Sequence, residues 1–276
     1  MQMKVSIQGY KGSFHHIAAT KHFEKDFEII ERDSFGEVFK DLETERAEYG
    51  IIAIENTIAG SILTNLDLLL KYRYKIVGEV YLRIKHNLIA YPGQKKEEIN
   101  EVHSHIMALA QCEEYINEHN FEAVENPDTA GFAREISEKK LKGVAAIGSE
   151  MAAKIYGLEI LDEEIEDHKM NFTRFWVISK KPRNVEDADK SSIMLELRDK
   201  FGSLSNAINI FAQEKVNLTK LESRPIIGRP WSYRFYIDLE LDWNDPKGWR
   251  IQEKLDREAD SIVHLGTYKK GEIPIN

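Results

Sequence analysis

Cysteine is nearly absent: Cys112 is the only one in 276 residues. A single thiol excludes an internal disulfide framework and a cysteine-rich metal centre, and it fits a reducing compartment. Long apolar runs are missing as well. No stretch approaches the roughly 20 residues that cross a bilayer, so no membrane association is expected. Positive charge is in deficit, with 38 Lys and Arg against 47 Asp and Glu and a formal net charge of -9. Broad nucleic-acid binding needs clustered cations that displace phosphate counterions, and that class is set aside. The same deficit requires any anion site to be locally positive against an unfavourable overall field. The N-terminus, Met1-Gln2-Met3-Lys4-Val5-Ser6-Ile7, reads as a first strand and not as a signal peptide, so the cytoplasm is the expected location. Internal repeats and low-complexity segments are absent too.

What is present is an alternation of strand and helix signals. Strands are expected at Lys4 to Gln8, Phe27 to Glu31 and Tyr49 to Ile54. Between them lie a helix through His16 and Phe23, with Ser13 as its cap, and a helix opened by the capping-box pattern Ser34-Phe35-Gly36-Glu37. The rhythm continues with strands at 75–79, 87–91 and 101–105, a helix over 107–118, and a strand at 121–124. Next come a helix over 129–139, a strand at 144–147, a helix through Ala152 and Tyr156, and a strand at 173–178. Alternation of this kind predicts α/β lobes with mostly parallel sheets covered on both faces. Two lobes of this size leave a cleft, a common place for a small-molecule site.

Residues 180–190 lack apolar periodicity and are read as a linker (181–190 in the domain division), which places one domain at 1–180 and another at 191–276. The C-terminal part reads as strands at 193–197, 217–223, 233–241 and 262–268, with helices over 204–214 and 249–259. The order βαββαβ is that of ferredoxin-like domains.

Three segments carry candidate chemistry. In Asn171-Phe172-Thr173-Arg174-Phe175, a Thr hydroxyl can donate to a leaving oxygen and an Arg can grip a carboxylate. In a regular strand these two side chains point to opposite faces, so they share a site only if Thr173 lies at an irregular start. The alternative is a capping Thr beside a surface Arg. In Ile54-Glu55-Asn56-Thr57-Ile58-Ala59-Gly60-Ser61, a buried strand ends in polar groups before a helix, an arrangement that suits an anion or merely caps the helix. Gly9-x-x-Gly12-Ser13 lacks the spacing of a dinucleotide or phosphate loop and by itself is a tight turn. His15, His16, His86, His103 and His105 offer no evident set of three converging ligands, so no metal is expected; His103 and His105 alternate on the same strand. Gln111 can hydrogen-bond a carboxylate, and Cys112 beside it reads as a packing residue.

Taken together, these segments resemble prephenate dehydratase over nearly the whole chain. The similarity is carried by Gly9-Tyr10-Lys11-Gly12-Ser13-Phe14, Ile54-Glu55-Asn56-Thr57 with Gly60-Ser61, and Leu66-Asp67-Leu68-Leu69. It continues through Ala110-Gln111-Cys112, Asp128-Thr129-Ala130, Ala145-Ala146-Ile147-Gly148, Tyr156-Gly157-Leu158 and Asn171 to Phe175. The C-terminal unit resembles an ACT domain of the phenylalanine-responsive kind, through Gly202-Ser203-Leu204, Glu222-Ser223-Arg224-Pro225 and Leu265-Gly266-Thr267-Tyr268.

The resemblance implies two catalytic lobes of the type II periplasmic-binding-protein kind with the site in the cleft, followed by the ACT unit. It implies a carbon–oxygen lyase that converts prephenate to phenylpyruvate, water and carbon dioxide without a cofactor. The rival substrate is arogenate, used by the same residues. Thr173, Asn56 and Gln111 carry over as catalytic residues. Arg174, Phe175, Glu55, Thr57, Ser13 and Thr129 carry over as substrate-binding residues. Gly202, Ser203, Leu204, Glu222, Ser223, Arg224 and Pro225 carry over as the wall of a phenylalanine site between paired ACT domains, in a homodimer or homotetramer. An N-terminal chorismate mutase domain is not expected ahead of a strand that begins at Lys4. His15 and Asp128 stand where the family often has Ser, and Ser203 where it has Ala.

Overall fold

The computed structural model describes residues 2–24 and 26–274. Met1, at the head of the expected first strand, lies outside them, as do Ile275 and Asn276 at the end of the expected second domain. Two compact units divide the chain. The first holds the residues up to Tyr72 together with Val80–Val177; the second holds Arg73–Glu79 and Ile178–Gly271.

In chain order the elements that lead to and form the first unit are β1 (Met3–Gln8), α1 (Phe14–His22), β2 (Phe27–Arg32), α2 (Phe35–Glu43), β3 (Tyr49–Asn56), β4 (Gly60–Ser61), α3 (Leu63–Tyr72), β5 (Lys75–Arg83) and β6 (Asn87–Ala90). There follow β7 (Glu101–Ser104), α4 (Ile106–Ala110), α5 (Glu113–Glu118), β8 (Glu122–Glu125), α6 (Gly131–Lys139), β9 (Val144–Gly148), α7 (Glu150–Tyr156), β10 (Glu159–Asp162) and β11 (Phe172–Ser179). They build two sheets, in the orders β2-β1-β3-β11-β5 and β10-β6-β9-β7-β8.

The sheets share a plan. In each, a first strand lies between the two that follow it, and all three are parallel: β1 pairs β2 and β3, and β7 pairs β8 and β9. The second sheet then continues through antiparallel β6 and β10. This is the two-lobed α/β architecture expected from the sequence. Parallel strands need both faces covered, and Val5, Ile7, Ile51, Ile52 and Ile54 are indeed buried alongside Val38, Phe39 and Leu42 of α2. In the second lobe Leu88, Val102, Ala145 and Ile147 pack with Leu109, Cys112 and Ile116 on one side of the sheet. Ile89 and Ala146 pack with Phe132, Ala133, Ile136, Ala152 and Ala153 on the other.

One expected helix is broken. The apolar spacing over 107–118 predicts a single helix, but α4 ends at Ala110 and α5 begins at Glu113. The carbonyl of Gln111 accepts from the Asp167 amide (2.8 Å), and Cys112 leaves helical geometry (φ -124°, ψ 25°). A tertiary hydrogen bond thus takes a carbonyl that a continuous helix would use.

The second unit contains β12 (Lys190–Leu197), α8 (Ser203–Gln213), β13 (Leu218–Ile226), β14 (Arg229–Leu239), α9 (Pro246–Leu255) and β15 (Ala259–Tyr268), the βαββαβ order read from the sequence. Its sheet runs β13-β14-β12-β15 with every pair antiparallel. Ile193, Leu195, Ile237 and Leu239 form one face and pack on Ala207 and Phe211 of α8 and Ile251 and Leu255 of α9. The expected start of α9 at Trp249 moves to Pro246, because Asp245 caps the helix and Pro246 opens it.

The opposite face of this sheet carries buried polar groups. Ser192 Oγ donates to Asp238 Oδ1 (2.5 Å) and lies 2.6 Å from the Tyr268 hydroxyl. Lys190, read from sequence as the end of the linker, opens β12 and is buried against Glu79 at 2.9 and 3.0 Å. The segment Arg73–Glu79 belongs to this unit, and a Cβ at Gly266 would collide with the backbone of Ile76. Glycine there lets the two backbones approach.

Candidate active site

The carboxyl ends of the parallel strands surround a cavity of about 770 Å3 in the first unit. Gln8 at the end of β1, Ser34 after β2, Asn56 at the end of β3, His105 after β7 and Asp128 after β8 all line it. Ligands of open α/β sheets bind at such ends, where helices begin. Thr173 and Phe175 of β11, and His86 just before β6, complete the wall, and no Lys or Arg is among the described lining residues.

A hydrogen-bonded chain runs through this wall, and its polarity follows from the backbone. Asn56 Oδ1 accepts from the amides of Ile58 (2.9 Å) and Ala59 (2.8 Å). Backbone N–H groups only donate, so Asn56 Nδ2 must face the other way. There it donates to Asn171 Oδ1 (2.7 Å), the Phe172 carbonyl (3.2 Å) and Thr173 Oγ1 (3.0 Å). Thr173 therefore accepts from Asn56, and its own O–H proton remains available to a ligand. Asn171, with its oxygen used, donates through Nδ2 to Gln111 Oε1 (2.9 Å). His86 Nε2 lies 3.0 Å from the same oxygen.

The broken helix has a consequence here. Gln111 occupies the C-cap of α4, where its side chain reaches Asn171 and His86 instead of continuing along a helix face. Cys112 next to it is buried, and burial pushes its thiol pKa well up, in keeping with a packing residue.

Among the histidines, His15 and His86 are held neutral by burial, with pKa values lowered to about 3 and about 4. His15 stands edge-on to Phe175 and Phe35. His105 caps α4 and lines the cavity, whereas His103 stacks on Phe132 and reaches Glu101. β7 ends at Ser104, and of these two histidines His105 lines the cavity and His103 does not. Among the described residues no group of three or more His, Cys, Asp and Glu is placed to hold a metal ion.

Asp128 Oδ1 accepts from the amides of Ala130 (2.5 Å) and Gly131 (2.6 Å) at the start of α6. Burial still raises its pKa against those donors. The N-terminus of α6 is thereby satisfied from within the chain. That of α1 is capped at one amide, His16, by Ser13 Oγ (3.4 Å), while Ser13, Phe14 and His15 line the cavity and the first turn carries no acidic residue. Helix N-termini of this kind bind carboxylates.

The family model described as "Prephenate dehydratase" matches residues 5–183. This chain belongs to the prephenate dehydratase family. It is 34% identical over 98% of its length to the bifunctional chorismate mutase/prephenate dehydratase of Aquifex aeolicus, covering 74% of that protein. It is 35% identical over 97% of its length to the arogenate dehydratase/prephenate dehydratase 2 of Arabidopsis thaliana, covering 73% of it. Among solved structures, prephenate dehydratase of Arthrobacter aurescens in complex with L-Phe superposes with a TM-score of 0.84 at 26% identity, over 97% of this chain and 90% of that one. GqqA, described as a novel type of quorum quenching acylase, superposes with a TM-score of 0.86 at 28% identity, over 96% and 97% of the two chains.

Against this family frame, the cavity brings together Thr173, Asn56, Gln111, Phe175, Ser13 and Thr129 of the expected residues. It leaves out three. Arg174 lies on the opposite face of β11, over Tyr81 and Trp176 and 4.0 Å from Glu55. Thr173 sits in regular strand, so the alternation of side chains sends Arg174 away from it. Glu55 is absent from the cavity lining and lies beside Arg174 instead. Thr57 bonds the Met170 carbonyl and the Phe172 amide, tying the end of β3 to β11.

Two further residues of the site, Asn171 and His86, are not among those expected from the sequence. Asn171 was legible, since the spacing Asn171, Thr173, Phe175 is the period of one strand face. His86 carried no local signal. In the second unit Gly202 adopts φ +80° before α8, and Glu222 to Pro225 lie on the edge strand β13.

Proposed function

We propose that this chain catalyses the decarboxylative dehydration of prephenate to phenylpyruvate, water and carbon dioxide, and that phenylalanine regulates it through the second unit. The observation that carries the reading is the polarity at Thr173, whose hydroxyl accepts from Asn56 and has its proton left to donate. Loss of carbon dioxide and of the ring hydroxyl makes the ring aromatic, so no covalent intermediate is needed. The site has to hold the carboxylates and hydrogen-bond the departing oxygen, which positioned donors achieve. A neutral Thr hydroxyl supplies a hydrogen bond and not a full proton transfer, so the oxygen departs as hydroxide and takes its proton from solvent to become water. Without Lys or Arg in the wall, the first-turn amides of α1 and the Gln111 amide are the carboxylate donors.

For regulation, Gly202, Ser203 and Leu204 and the run Glu222-Ser223-Arg224-Pro225 form the phenylalanine site. Within one chain β14 separates β13 from β12, the strand that leads to the Gly202 turn. That separation favours a site completed by a second copy, in a homodimer or homotetramer. The proposed location is the cytoplasm; no helix among the described residues is long and apolar enough to cross a membrane.

The test is phenylpyruvate formation from purified prephenate, with and without phenylalanine. Turnover suppressed by phenylalanine supports both parts. Absence of turnover overturns the first, and absence of phenylalanine binding by calorimetry overturns the second. One observation favours arogenate as a second reading: the buried carboxylate of Asp128 lines the cavity, and an ammonium group is a natural partner for it. Parallel kinetics on both substrates decide between them.

A further inference from the structure

We infer that His86 is a positioning residue: its Nε2–H locks the Gln111 carboxamide so that the amide nitrogen is presented to the cavity. This inference rests on the proposed prephenate turnover and adds a residue that acts through Gln111 and not on the substrate.

The backbone amides of Ile58 and Ala59 fix Asn56, Asn56 fixes Asn171, and Asn171 donates to Gln111 Oε1. Gln111 Oε1 is therefore an acceptor. A carbonyl oxygen accepts two hydrogen bonds, and the second approach, at 3.0 Å, comes from His86 Nε2. His86 must then carry its proton on Nε2, with Nδ1 as a bare lone pair. Nδ1 is buried and has no hydrogen-bond partner, so no acceptor there competes for the proton.

His86 is itself held from two further directions. Its backbone amide donates to Glu166 Oε2 (2.9 Å) and its carbonyl accepts from Ile165 (2.8 Å). Phe14 stands edge-on to its ring, with centroids 5.4 Å apart. The ring is thus a rigid support. With both lone pairs of Gln111 Oε1 taken, the amide nitrogen of Gln111 is the end that remains for a ligand, and among the described residues no side chain hydrogen-bonds it. Asn171 alone would leave the Gln111 side chain free to turn about a single hydrogen bond. Two donors on one oxygen define its plane.

The test is a double-mutant cycle on prephenate turnover, with the wild-type enzyme establishing that the substrate is right. His86→Leu removes the donor and is expected to lower kcat/KM about 10- to 100-fold, the usual scale for a misplaced binding group. Gln111→Ala is expected to lose a similar factor. The combined variant is expected to be no worse than Gln111→Ala alone, because His86 then has nothing to position. His86→Gln, whose amide N–H can reach the same oxygen, is expected to recover part of the loss. Losses that multiply in the combined variant, or a His86→Leu enzyme within threefold of wild type, would overturn the inference. A melting temperature measured for each variant separates a folding defect from a positioning one. If His86→Leu fails to fold, the inference stands or falls on His86→Gln: an enzyme as impaired as Gln111→Ala would refute it, and one closer to wild type would support it.

Discussion

Replacing Thr173 by valine keeps the shape of the side chain and removes its hydroxyl. Thr173 is 8% exposed and accepts one hydrogen bond, from Asn56 at 3.0 Å. Asn56 Nδ2 keeps Asn171 Oδ1 and the Phe172 carbonyl as partners, so no buried donor is orphaned and stability should fall by about 1 kcal/mol or less. The effect on the reaction should be far larger. A preorganised donor to a developing negative oxygen contributes about 100- to 1,000-fold in kcat, or roughly 3 to 4 kcal/mol. Thr173→Val is therefore expected to lose two to three orders of magnitude in kcat, with KM changing little and the melting temperature nearly unmoved. Thr173→Ser retains the donor and should keep part of the rate. Steady-state phenylpyruvate formation and a thermal melt on the same preparations read both quantities. A Thr173→Val enzyme with kcat within threefold of wild type would refute the polarity argument, and so would a rate loss matched by a collapse in stability.

Other outcomes follow from burial. Lys190→Met removes the buried ammonium that meets Glu79 at 2.9 Å and is expected to cost about 3 to 5 kcal/mol in urea unfolding, which Glu79→Leu in the same chain should largely restore; an unchanged midpoint for the single variant would contradict this. Acid should destabilise the fold through His15 and His86. Their folded pKa values lie near 3 and 4, below the unfolded value, so from about pH 6.5 downward the unfolded chain binds protons that the native rings refuse. Each ring should remove up to about 2 kcal/mol between pH 7 and pH 5, and a flat stability profile across that window would count against neutral buried rings. Gly12→Ala places a Cβ 2.6 Å from Cα of Ala152 on a backbone with φ +90°, and a loss of more than about 2 kcal/mol is expected; an unshifted melt would refute it.

Period and chemistry along the chain were enough for much of the architecture. The two α/β lobes and the βαββαβ unit were legible because apolar spacing of 2 or 3.6 residues is a local property of sequence. The capping box at Ser34 and Glu37 was legible for the same reason, since both of its hydrogen bonds lie within one turn. The polar end of β3 was legible as a candidate site because a strand end that opens a helix has its own residue signature, and the start of β11 because a Thr donor stands there beside an Arg. Alternation in β11 even stated the condition under which Thr173 and Arg174 would part.

Tertiary structure decided the rest. Whether Thr173 lay in regular strand depended on how β11 docks in its sheet, and that docking sends Arg174 to the far face. The break between α4 and α5 comes from an amide 56 positions away, at Asp167, so no local pattern announces it. Lys190 reads as linker because a lysine is usually solvated; only the approach of Glu79, 111 positions earlier, makes it a core residue. His86, Gln111, Asn171 and Asn56 lie far apart along the chain and form a single directional network only because folding brings each donor to an acceptor. Hydrogen bonds between distant residues have no periodicity, and that is the physical reason Thr173, Asn56 and Gln111 could be named from sequence while His86 and the orientation of the network could not.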